Sequence, residues 1–117
     1  MNDQIKKDVR LLCVTVINER YLDDVLLAMT SISGGRITMM ETFSGYDNLS
    51  QSIPMFGEFL GMGSRTYGKV LMTCTQEPEP VEHFIELLTA AGVDFVKEQI
   101  GEVYDIPLGS AVLLDEE

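Results

Sequence analysis

The sequence predicts a single α+β domain, in which two strand-helix-strand units follow one another and share one antiparallel sheet. Two observations carry this reading. Runs rich in β-branched residues, apolar on both faces, mark central strands at 9–17 and 69–75. After each comes a stripe of apolar residues at helical spacing, closed by glycine: Gly34 and Gly35 after the first, Gly92 after the second.

The first strand runs from Val9 to Ile17, Val-Arg-Leu-Leu-Cys-Val-Thr-Val-Ile. In the helix that follows, Leu22, Val25, Leu26, Met29 and Ile32 form one buried face. Asn18 is placed to cap it, and Asp23 and Asp24 lie near its positive end. A second strand is expected from Arg36 to Ser44 and a third from Lys69 to Thr75. The second helix opens at Glu79 with Pro80 in its first turn, where the missing N–H costs nothing. Its stripe is Val81, Phe84, Ile85 and Leu88. A fourth strand is expected from Phe95 to about Tyr104, followed by a tail at 105–117.

Two right-handed units in this order make the ferredoxin-like βαββαβ sandwich, a four-stranded antiparallel sheet with two helices on one face. The other face has no helix of its own. In the first strand Leu12, Val14 and Val16 alternate with Leu11, Cys13, Thr15 and Ile17, so both sides are largely apolar. The third strand does likewise, with Val70, Met72 and Cys74 against Leu71, Thr73 and Thr75. Apolar patches of that size are rarely left in water, and a homo-oligomer is the simplest cover. The alternative is that the tail from Pro107 folds back over the face.

Residues 46–66 form a long insertion where a hairpin would need only a few residues, and long connections of this kind are commonly functional or disordered. Met55, Phe56, Phe59, Leu60 and Met62 give it an apolar side, suited to docking on a partner or on a neighbouring copy. Gly57, Gly61 and Gly63 precede Ser64, Arg65 and Thr66, a weak anion-cradle pattern that is neither of the standard phosphate-loop motifs.

At 117 residues the chain fits one domain, 1–117. Its net charge of −11 and eight scattered Lys and Arg residues argue against nucleic acid and against acidic membrane surfaces. There is no apolar run of about eighteen residues, and the N-terminus reaches charge before any apolar stretch. A cytoplasmic protein is therefore expected. In a reducing compartment Cys13 and Cys74 are expected as two buried thiols, although neighbouring strands would allow a disulfide.

Signals for catalysis are poor. His83 is the one histidine, and its place between Glu82 and Phe84 puts it at the solvent border of the second helix. No HExxH, CxxC or zinc-like spacing occurs, so no metal site and no enzyme is expected.

The chain resembles the nitrogen regulatory protein PII and its wider superfamily over about residues 8–92. The resemblance rests on Leu22-Asp23-Asp24-Val25, on Gly35-Arg36-Ile37-Thr38, on Glu41 and the Ser44-Gly45 exit into a long loop, and on Tyr67-Gly68-Lys69-Val70. Glu79-Pro80-Val81-Glu82 to Ala90-Ala91 looks like that family's second helix. It implies a trimer with inward-facing sheets and a cleft between subunits for a small effector, often an adenine nucleotide. It also implies a T-loop, here at 46–66, that signals to a target such as a membrane transporter or an enzyme. By position, Thr38, Ser44 and Gly45 fall where the family lines its cleft; Arg65 is a further ligand candidate from the glycine-rich stretch. The family's glycine-rich phosphate loop with its lysine is missing, because Gly92-Val-Asp-Phe-Val-Lys97 runs straight on, and no arginine follows Arg65. The cofactor is therefore left open.

The function these features predict is a PII-like regulatory, signal-transduction protein. Two alternatives stand beside it: an ACT-like sensor of amino acids at subunit interfaces, and a small enzyme with an interface site.

Overall fold

The structure, a computed structural model, describes residues 4–43 and 67–114. In chain order the elements are β1 (Ile5–Val16), α1 (Leu22–Ser33), β2 (Thr38–Phe43), β3 (Tyr67–Thr75), α2 (Pro80–Ala90) and β4 (Gly101–Val112). All strand pairs are antiparallel, and the strands lie in the order β2-β3-β1-β4. The chain is thus α+β, as the repeated strand-helix-strand pattern leads one to expect. No helix among the described residues is long and apolar enough to cross a membrane.

Asn18 does cap, but one turn earlier than expected. Its Oδ1 accepts from Arg20 N at 3.3 Å and starts a short 3₁₀ turn, Glu19–Tyr21, that leads into α1. Gly34 ends α1 at φ +86°, a left-handed conformation that glycine takes without penalty, with its N–H on the carbonyl of Thr30. Pro80 sits in the first turn of α2.

The apolar stripes of both helices meet one face of the sheet. Val25, Ala28, Met29 and Ile32 of α1 and Phe84 and Leu88 of α2 join Leu12, Val14, Val16 and Leu71 in one cluster. Phe95 closes it, its ring edge-on to Phe84 with centroids 5.7 Å apart. Of the expected stripes, Leu22, Leu26, Val81 and Ile85 are only partly buried.

The fourth strand is displaced from its expected place. Residues 95–99 form turns, because the Asp94 carbonyl accepts from Glu98 N and its carboxylate from Lys97 N, each at 3.0 Å. Phe95 is apolar for the sake of the helix core, not as part of a strand. β4 then runs through Pro107 to Val112, so most of the expected tail at 105–117 is strand. Proline is tolerated there because β4 is an edge strand. Near it the β1–β4 register shifts twice, between Lys6 and Val9 and between Val9 and Arg10. Asp8 at φ +55° and Gly109 at φ +86° absorb that irregularity.

Candidate functional site: the open sheet face and its end cleft

Strand alternation puts Leu12, Val14 and Val16 under the helices, and Leu11, Cys13 and Thr15 on the opposite face. The register extends that opposite face across the sheet. Cys13 stands against Met72 and Tyr104, Leu11 against Cys74 and Ile106, and Thr15 against Val70 and Glu102; Met40 and Thr38 extend it onto β2. Met40, Tyr104 and Ile106 are 47%, 46% and 43% exposed. No described helix covers this side.

Charge is sorted between the two faces. From Arg10 to Val16 and across its partners, Arg10, Glu41, Lys69 and Asp105 all fall on the helix side. Among the described residues of this paired region, only Glu102 brings a charge to the open face. Lys69 sits between carboxylates, its Nζ 3.2 Å from Glu41 Oε1 and 3.4 Å from Glu19 Oε1. The hydrogen bond to Glu41 is the main reason its ammonium is held above the ordinary lysine range.

Where α1 gives way to β2, the open face ends in a cleft of about 400 Å³. Its floor is Leu11, Met72 and Cys74; Arg36, Thr38 and Thr73 supply polar groups, and Leu113 and Leu114 close it from the C-terminal side. Thr73 Oγ1 donates to the Arg36 carbonyl at 2.5 Å and ties the α1–β2 connection to β3. Leu113 and Leu114 therefore reach one end of the open face, while Met40, Tyr104 and Ile106 remain exposed.

Of the residues singled out from sequence, Thr38 lies in this cleft, as the first residue of β2. Ser44, Gly45 and Arg65, and the loop residues Met55, Phe56, Phe59, Leu60 and Met62, lie outside the described residues. Leu11, Met72, Cys74, Leu113 and Leu114 were not singled out as ligand-binding positions. Their one sequence signal is alternation within strands, which assigns a face but does not bring distant segments together.

Both cysteines are free. Cys13 is buried and Cys74 only half-buried, a correction to the expectation of two buried thiols. Burial, with a smaller contribution from nearby Cys74, pushes the Cys13 thiol up. His83 is partly exposed, as its sequence position implies, with Nδ1 2.8 Å from Glu77 Oε2. Among the described residues no three His, Cys, Asp or Glu side chains gather as metal ligands. No protein-family model matches the chain, and no curated protein matches it.

Proposed function

We propose that this chain is a PII-like regulatory protein of the ferredoxin-like βαββαβ type. It self-associates into a trimer through its open sheet face, binds a small effector at a subunit cleft, and addresses a target protein through the segment 46–66. The observation that carries the reading is the open face itself: apolar, almost without charge, and left bare by both helices. In a chain of net charge −11, such a face is where copies can approach without strong like-charge repulsion. The strand order β2-β3-β1-β4 supports the ferredoxin-like assignment. The cleft beside Thr38 supports a small-molecule effector, since its volume and apolar lining suit one.

Native mass spectrometry tests the assembly. A trimer is expected; a dimer would favour the ACT-like sensor, and a stable monomer would overturn the proposal. A thermal-shift panel of nucleotides, cyclic dinucleotides and amino acids tests the effector, because a ligand of the folded form raises its stability by mass action. Deleting 46–66 is expected to leave the trimer intact; its loss would make that segment structural.

A further inference from the structure

Four sulfur-bearing side chains share the open face: Cys13 on β1, Met72 and Cys74 on β3, and Met40 on β2. Cys13 pairs directly with Met72, and Cys74 pairs with Leu11, so the two cysteines are diagonal neighbours on one face. Diagonal neighbours in an antiparallel pair stand about 7 Å apart, with Cβ atoms somewhat closer. That is too far for a disulfide, which needs Cβ atoms about 4 Å apart. It suits a sulfur–metal–sulfur bridge, whose two bonds of about 2.3 Å each make up the difference. Met72, opposite one cysteine and two residues from the other, places a thioether beside that bridge.

We propose that Cys13, Cys74 and Met72 form a binding site for a soft monovalent metal ion of the Cu(I) type. The donor set makes the choice of metal. Thiolate and thioether sulfurs select Cu(I), whereas structural zinc takes four ligands drawn from Cys, His and carboxylates. No such cluster exists among the described residues. The site has an entry path at two of its three ligands, since Met72 and Cys74 line the cleft of about 400 Å³; Cys13 is buried and does not line it. Binding releases the two thiol protons to solvent and leaves the metal's oxidation state unchanged. This site goes beyond the regulatory reading and does not depend on it.

The test is an anaerobic titration of the reduced full chain with Cu(I) against a chromophoric chelator, with Zn(II) in a parallel arm. One Cu(I) per chain is expected, bound in clear preference to Zn(II), with sulfur as the metal's neighbour in X-ray absorption. Cys74→Ser, at the half-buried position, is expected to weaken binding on the order of 100-fold, and Met72→Leu about tenfold. Cys13→Ser is to be read only where circular dichroism matches the parent. Retention of Cu(I) by the Cys74→Ser chain, nitrogen or oxygen as its only neighbours, or equal binding of Zn(II) would each overturn the site. Native mass on the same samples keeps the two proposals apart, because loss of copper with the trimer intact fails this site alone.

Discussion

Arg10 and Asp105 lock β1 to β4 through a two-pronged ion pair, Nε donating to Oδ2 at 3.0 Å and Nη2 to Oδ1 at 3.1 Å. The register sets Asp105 against Leu12, so the pair runs diagonally, just before the register shift near Pro107. The hydrogen bond to Asp105 is the main reason the Arg10 guanidinium is held above its already high range. Both side chains keep access to water, so the contribution is small and sensitive to salt. Asp105→Asn is expected to lower the melting temperature slightly at low ionic strength and less at high. An equal drop at both would assign the effect to hydrogen bonding instead of charge.

Gly101 opens β4 against Val16, and a Cβ there would overlap the carbonyl oxygen of Thr15. Backbone cannot yield as a flexible side chain does. Gly101→Ala is expected to cost more than about 3 kcal/mol, the upper range for overpacking. Gly109→Ala meets no neighbour but is held at φ +86°, so its cost is about 1 kcal/mol. Urea denaturation of both variants checks the ranking; equal losses would contradict it.

Phe84 is fully buried and meets Phe95 edge-on, so its removal leaves a cavity that the surrounding helices and sheet fill poorly. Phe84→Ala is expected to lose about 3–5 kcal/mol of unfolding free energy. A loss below about 1 kcal/mol would mean that the region relaxes or that the ring pair contributes little.

Ile106 lies at the other extreme, 43% exposed on the open face of the outermost strand β4. If the proposed trimer forms through this face, Ile106→Glu is expected to dissociate it while leaving the circular dichroism of the fold unchanged. An unaltered native mass would remove the β4 end of the face from the interface.

Burial holds the Cys13 thiol protonated to higher pH than an unfolded chain would. Met72 and Tyr104 stand directly opposite it, and Cys74 and Glu102 are the titratable groups on its diagonals. An unfolded chain then loses this proton first as pH rises, so the contribution of Cys13 to stability is complete below the ordinary thiol range and declines above it. Iodoacetamide at neutral pH is expected to modify half-buried Cys74 before Cys13, as peptide mass mapping would show. The reverse order would show that the β1 thiol is accessible.

The helices were legible because their information is local. Leu22 to Ile32 and Val81 to Leu88 carry their own period, and Gly34 and Pro80 mark ends that any sequence reading finds. The start of β4 was not legible. Phe95 and Val96 look like strand residues, but Phe95 is apolar because Phe84 needs a partner, and Val96 is 80% exposed in a turn. The two-sided apolarity of β1 and β3 did announce an uncovered face. The cleft at its end was hidden, since it joins Leu11, Arg36, Met72 and Leu114, residues that only the finished topology brings together.

Pro107 interrupts the outermost strand at a point where any other residue would carry an N–H. A second molecule zipping along that border would find a gap in its ladder. Endless side-by-side ribbons are thereby disfavoured at this border of the sheet.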